Sequence, residues 1–122
     1  MLLQTLAMPA DTNPNGDIFG GWIMAQMDIA GGILAKEVAR SRVVTVAVDS
    51  IHFIKPVHVG DVVCCFGTVL RIGTTSVRIH LEVWVKAAVH GEDGKSKMFK
   101  VTEADSTYVA VDSSGRKQPI ER

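Results

Sequence analysis

The sequence predicts an α+β domain in which an antiparallel β-sheet wraps around one long buried helix. Three features predict it: a run from Ile18 to Ala35 whose only polar side chains are Gln26 and Asp28, a later series of β-branched segments joined by short turns, and a stretch from Ser76 to Lys86 that alternates without error. A helix that is apolar on nearly every side is one enclosed by the rest of its protein. Strands joined by tight turns run antiparallel and pack their apolar face on such a helix.

Taken in order, Leu2 to Ala7 reads as an opening strand that Met8-Pro9 ends, and Asp11-Thr-Asn-Pro-Asn-Gly16 is dense in turn formers. The helix follows from about Phe19 to Arg40, with Lys36 and Arg40 in its last turns, where cations suit the negative end of the dipole. Along it Gly21, Ala25, Asp28, Gly32 and Ala35 form a small-residue face, and Ile23, Met27, Ala30 and Leu34 an apolar one. Something is expected to pack closely on the Asp28 side.

Val43 to Phe53 is the next strand and Lys55 to Asp61 its connection, followed by a strand from Asp61 to Ile72 and a turn at Arg71-Ile-Gly-Thr-Thr-Ser76. In Ser76 to Lys86, Val77, Ile79, Leu81, Val83 and Val85 share one face, and Arg78, His80, Glu82, Trp84 and Lys86 the other. Trp84, set among charges, suits a subunit contact. A loop over His90 to Ser96, a last strand from Lys97 to Asp112, a turn at Asp112-Ser-Ser-Gly115 and a loose tail complete the chain.

At 122 residues, the chain is expected to be one domain, 1–122. Its 13 basic and 13 acidic residues cancel, so nothing draws it to nucleic acid, and no basic stripe marks a phosphate-backbone surface. The 47% hydrophobic content points to surface covered by sister subunits. Asp28 and Gln26 within the apolar run, together with four glycines, argue against a membrane span.

Cys64 and Cys65, the only cysteines, are neighbours on a strand and point to opposite faces. They read as reduced core residues of a cytoplasmic protein, and no secretory signal opens the chain. His52, His58, His80 and His90 lie too far apart for metal-ligand spacing, so no metal is expected. An ionised carboxylate buried in an apolar helix costs several kcal/mol unless neighbours offset it, which singles out Asp28 as a functional group. Without further information, Asn13 and Asn15 are ordinary turn residues, Asp17 a helix-start group, and Asp28 a core carboxylate held by hydroxyl or backbone donors.

Several separated blocks change that balance. Leu6-Ala-Met-Pro-Ala-Asp-Thr-Asn13, Asn15-Gly-Asp-Ile-Phe-Gly-Gly-Trp22, Met27-Asp28, Arg42-Val-Val-Thr-Val46, Phe53-Ile-Lys-Pro-Val57, Val59-Gly-Asp-Val-Val63 and Glu82-Val-Trp-Val85 occur in the order that resembles the YciA-type acyl-CoA thioesterases of the hotdog-fold superfamily. The resemblance covers almost the whole chain. It implies hydrolysis of acyl-CoA thioesters to free fatty acid and coenzyme A, without a cofactor, since coenzyme A belongs to the substrate and the product. It also implies that Asn13 of one subunit faces Asp28 of another, in a dimer that assembles further into a trimer of dimers, a hexamer.

The chemistry suits those residues. A thioester carbonyl is electrophilic and its thiolate leaves readily, so a nucleophile and an oxyanion stabiliser suffice. Helix-start amides are unpaired and carry the positive dipole end, which makes the backbone N–H groups around Gly20 and Gly21 the natural oxyanion donors. Asp28 either deprotonates a water or attacks the carbonyl itself to give an anhydride, and Asn13 holds water or substrate by its amide. For the phosphates and pantetheine arm of coenzyme A, the candidates are Lys55, Arg71, Thr74, Thr75 and Ser76, with Arg42 and Lys86 behind them. The Thr-Thr-Ser turn stands out only through the family resemblance.

Three other functions compete. A hotdog enoyl-CoA hydratase would place His five residues after its Asp, but Asp28 leads to Ile33 and Asp17 to Trp22. A non-catalytic acyl-CoA-binding module would release no thiol, and a purely structural oligomer would leave Asp28 without a task.

Overall fold

In the computed structural model, residues 1–14, 16–87 and 98–120 are described. Asn15, the loop expected over His90 to Ser96, the residue expected to open the last strand and the end of the tail lie outside them. The elements are β1 (Leu3–Leu6), a single 3₁₀ turn (Pro9–Asp11), α1 (Gly20–Ala39), β2 (Arg42–Phe53), β3 (Val62–Ile72), β4 (Ser76–Lys86) and β5 (Met98–Val111). They form one five-stranded sheet in the order β1-β3-β4-β5-β2, with every neighbouring pair antiparallel. The predicted elements are therefore all present, with ends displaced by a residue or so.

The central strand β4 behaves as its alternation predicts. Val77, Ile79, Leu81, Val83 and Val85 are all fully buried against α1, while Arg78, His80, Glu82, Trp84 and Lys86 stand half-buried on the opposite face. From α1 the core receives Ile23, Met27, Ala30, Gly31, Ala35 and Ala39. The helix ends at Arg40, which adopts a left-handed conformation (φ 54°) and donates its N–H to the Lys36 carbonyl.

The expectation of a helix enclosed all round is not met within one chain. Met24, Asp28, Ile29 and Ile33 are exposed, and a Cβ added at Gly21 or Gly32 would meet nothing within 4 Å. The close approach is on another face, at Gly31, where a Cβ would collide with the Tyr108 hydroxyl and stand 2.8 Å from its Cζ and 2.9 Å from Leu81 Cδ1. Beside the open side of α1 runs β2, an edge strand on which Val44, Val46 and Val48 are exposed. No helix among the described residues is long and apolar enough to cross a membrane.

Candidate functional site

Asp28 sits midway along α1 with its carboxylate outside the core. Its Oδ1 accepts a 2.7 Å hydrogen bond from the Thr45 hydroxyl of β2. The Tyr108 hydroxyl of β5 lies 3.2 Å from the same Oδ1 and 3.2 Å from the Asp28 carbonyl oxygen. Oδ2 accepts no hydrogen bond from the described side chains. The sheet makes this meeting possible, because Thr45 and Val77 both pair with Tyr108 across their ladders. Next to Thr45 the β2–β5 register slips by one residue, a bulge of the kind that re-aims a neighbouring side chain.

Thr45 and Tyr108 were invisible as site residues in the sequence. Thr45 sits in a valine run, and Tyr108 lies 80 positions from Asp28. The available signal was that Tyr108 is the only tyrosine of the chain and lies in an apolar strand, where a phenol needs a partner. Burial, the nearby Asp28 charge and the hydrogen bond to it raise the Tyr108 hydroxyl well above the usual phenol range, so it remains a donor.

The predicted residues Asn13, Gly20, Gly21 and Lys55 gather at the start of α1, about two turns before Asp28. Asn13, Asp17, Gly20, Phe53 and Lys55 line one groove of about 330 Å³. Asn13 is built into a turn, its side-chain Oδ1 accepting from Asp17 N–H at 3.1 Å and its carbonyl from Gly16 N–H at 3.0 Å. Gly20 and Gly21 open α1 after Phe19, which offers no side-chain cap, and their N–H groups meet no acceptor among the described residues. These are the unpaired amides that the start of a helix must leave. A Cβ at position 20 would stand 3.5 Å from the Phe53 ring, in ordinary van der Waals contact. Lys55 Nζ lies 4.9 Å above the Phe99 ring centre.

Within one chain the two groups stay apart. Gly20 and Asp28 are separated by about 12 Å along the helix axis, and Phe53 and Thr45 on β2 by about 26 Å of strand. The proposed coenzyme A residues divide in the same way. Lys55 precedes β3, whereas Arg71, Thr74, Thr75 and Ser76 lie at its far end, about 35 Å along the strand. There the Thr75 carbonyl accepts from Ala110 N–H and the Thr74 carbonyl from Ile120 N–H, both at 2.8 Å, which fixes the turn against β5 and the tail. Arg42 joins Lys36 and Arg40 on a cationic groove of about 670 Å³ that also includes Gly32, one turn beyond Asp28. Lys86 lies at the other end of β4.

The outer face of the sheet holds a separate network. His80 Nδ1 is 2.7 Å from Asp105 Oδ1, and its Nε2 is 3.2 Å from Glu82 Oε2 and 3.7 Å from Glu103 Oε2. The Asp105 hydrogen bond, assisted by Glu82, raises the His80 pKa against the opposing effect of burial. His80, Glu82 and Glu103 have donor atoms close enough to hold a cation. Their charges are already met internally: Lys100 holds Glu103 at 2.8 Å, the Trp84 ring N–H donates to Glu82 at 2.9 Å, and Arg78 bridges Asp49 and Asp105. Cys64 and Cys65 are buried and free, and burial, with its neighbour's charge, pushes the Cys65 thiol up to about 11. Neither cysteine touches the Asp28 cluster through a hydrogen bond among the described residues.

Comparison with known proteins gives the arrangement its family. Residues 15–89 match the model of the thioesterase superfamily. The acyl-CoA thioester hydrolase YciA of Escherichia coli is 57% identical over 98% of this chain and 89% of its own length. The hexameric thioesterase y2039 of Yersinia pestis is 54% identical, with a TM-score of 0.91 over 99% of this chain and 94% of that one. A hexameric hotdog fold thioesterase of Campylobacter jejuni is 43% identical, with the same TM-score of 0.91, over 98% and 88% of the two chains. With a curled antiparallel sheet around one long helix and these likenesses along its length, the chain belongs to the thioesterase superfamily and has the hotdog fold.

Proposed function

We propose that this protein hydrolyses acyl-CoA thioesters, with Asp28 as general base and with the oxyanion donors and Asn13 supplied by a second copy of the chain. The observation that carries this is the state of Asp28: one oxygen is fixed by hydroxyl donors and the other is left for a water. Oδ2 takes a proton from that water, and the hydroxide attacks the thioester carbonyl. The negative charge on the carbonyl oxygen is held by the Gly20 and Gly21 amides, whose strength comes from being fixed before the charge develops. Collapse of the tetrahedral intermediate breaks the C–S bond, and the coenzyme A thiolate leaves, taking up the proton that Asp28 holds. The Asn13 side-chain amide orients the water or the acyl carbonyl. No cofactor takes part.

The division of the site supports the second copy. β2 is an unpaired edge twelve residues long, with exposed valines beside the exposed Met24, Ile29 and Ile33 of α1. An apolar edge of that length is a template for another strand. A two-fold axis that pairs β2 with its own copy, antiparallel and centred between Thr45 and Phe53, sets the Asp28 end of one chain against the Asn13 and Gly20 end of the other. It also encloses Asp28 in the apolar surroundings that its helix sequence implies. Lys55 of one chain then approaches the Thr74-Thr75-Ser76 turn and the Lys36, Arg40 and Arg42 groove of the other, where coenzyme A phosphates would find cations and donors. Further assembly of such pairs into a hexamer, as trimers of dimers, matches the hexameric relatives. Two buried free thiols suit a cytoplasmic setting.

Removal of the base tests this directly. Asp28→Asn is expected to lower kcat at least about 100-fold, the usual scale for a general base, measured as free thiol released from an acyl-CoA panel. Near wild-type kcat in this variant would refute the assignment. Binding of acyl-CoA by the wild type without thiol release would instead identify a non-catalytic module.

A further inference from the structure

We infer that Tyr108 is a positioning residue: its hydroxyl, threaded through a notch that Gly31 leaves in α1, fixes Oδ1 of Asp28 and so decides which carboxylate oxygen meets the water. The inference rests on Asp28 being the base, and it names the device that aims it.

The notch is the first observation. Tyr108 is 1% exposed, and its ring crosses from β5 to the helix at the one place where a side chain would block it. A Cβ on residue 31 would stand 2.8 Å from Tyr108 Cζ, closer than real Cβ atoms come, and would overlap the hydroxyl. Glycine inside a helix costs roughly 1 kcal/mol relative to alanine, so its presence here offsets that cost with something the alanine would forbid. What it permits is the contact with Asp28.

The second observation is the geometry of the contact. The hydroxyl lies 3.2 Å from the Asp28 carbonyl and 3.2 Å from Oδ1. The single phenolic proton is shared between the Asp28 carbonyl and Oδ1, a three-centre bond that ties this carboxylate oxygen to the helix backbone. Thr45 donates to that same oxygen from the other side at 2.7 Å. Two donors on Oδ1 lock the carboxylate plane and leave the lone pairs of Oδ2 for a water. A donor aimed at the ionised form of a carboxylate favours that form, and its loss makes the carboxylate easier to protonate.

The chain has one tyrosine, so biosynthetic replacement with 3-fluorotyrosine labels Tyr108 alone and is almost isosteric. The fluorine resonance of the labelled protein is expected to shift with pH in step with the acid limb of kcat/KM, and that titration is expected to vanish in labelled Asp28→Asn protein. Tyr108→Phe is expected to lower kcat about tenfold and to move the acid limb of kcat/KM upward, with little change in KM. A loss of packing alone would lower activity without moving the limb. An unmoved limb in Tyr108→Phe, or a fluorine resonance indifferent to Asp28, would overturn the inference. If Tyr108→Phe does not fold, the fluorotyrosine protein carries the test by itself. Full activity in Asp28→Asn would remove the base assignment as well, whereas an inactive Asp28→Asn with an indifferent fluorine resonance removes only the role of Tyr108.

Discussion

The middle and the start of α1 carry the two halves of the proposed site, and they are built by different means. At the Asp28 end, three segments far apart in sequence converge, since Thr45, Tyr108 and Asp28 come from β2, β5 and α1 and meet only because the sheet curls under the helix. At the Gly20 end, one continuous stretch from Asn13 to Gly21 makes a turn, a helix start and a pair of outward amides. The first holds the proposed base without oxyanion donors, and the second holds the unpaired amides without a carboxylate of that kind. Under the proposed mechanism the catalytic unit is larger than one chain, and its halves are held at a fixed spacing by β2 and α1.

The largest effect on this comparison comes from keeping the halves apart. Val48→Lys sets a charge near the middle of the exposed edge of β2, away from Thr45 and Phe53, and is expected to shift the protein to monomers while lowering activity by more than about 100-fold. Size-exclusion chromatography with light scattering, beside a thiol-release assay, reads both. Monomers that keep full activity would mean that one chain holds a complete site.

A smaller effect sharpens the description of the Asp28 end. Thr45→Val removes the 2.7 Å hydrogen bond to Oδ1 and keeps the shape of the side chain. A hydrogen bond to a charged group is worth about 1.5–3 kcal/mol, so kcat is expected to fall roughly tenfold or somewhat more, with the fold and the oligomer unchanged. An unchanged kcat would reduce Thr45 to a strand residue.

The smallest effect lies on the outer face, which the comparison treats as structural. His80 has its pKa raised, chiefly by its hydrogen bond to Asp105. A base whose folded-state pKa is raised contributes stability that is complete below its unfolded pKa and is lost as pH rises through the folded one. The melting temperature of the wild type is therefore expected to fall, relative to that of His80→Gln, as pH rises from about 6.5 through the raised value, with little effect on turnover at neutral pH. Parallel melting curves for the two proteins across this range would contradict it.

What the sequence made legible follows the same division. The alternation of Ser76 to Lys86, the turn at Asn13 to Gly16 and the helix opening at Gly20 and Gly21 are written locally, as side-chain period, turn chemistry and the geometry of a helix start. The Asp28 cluster was legible only as one acid in an apolar helix, because no local spacing relates position 28 to positions 45 and 108. The apolarity of α1 implies enclosure by the rest of the protein, but within one chain Met24, Ile29 and Ile33 face outward. Sequence pattern reports that a face is covered and is silent on which chain covers it. The Gly31 notch was overlooked for a related reason. Small residues at 21, 25, 28, 32 and 35 form a clear stripe, but what makes Gly31 matter is a tyrosine from another strand.

Complementation between two inactive variants tests the shared site most directly. Asn13→Ala and Asp28→Asn proteins, each with little activity alone, are unfolded together and refolded as a mixture. A site that joins Asp28 of one chain to Asn13 of its partner becomes whole once in every mixed pair, so random pairing is expected to restore about a quarter of the wild-type thiol release per chain. A mixture no more active than its two components would contradict a catalytic site divided between subunits.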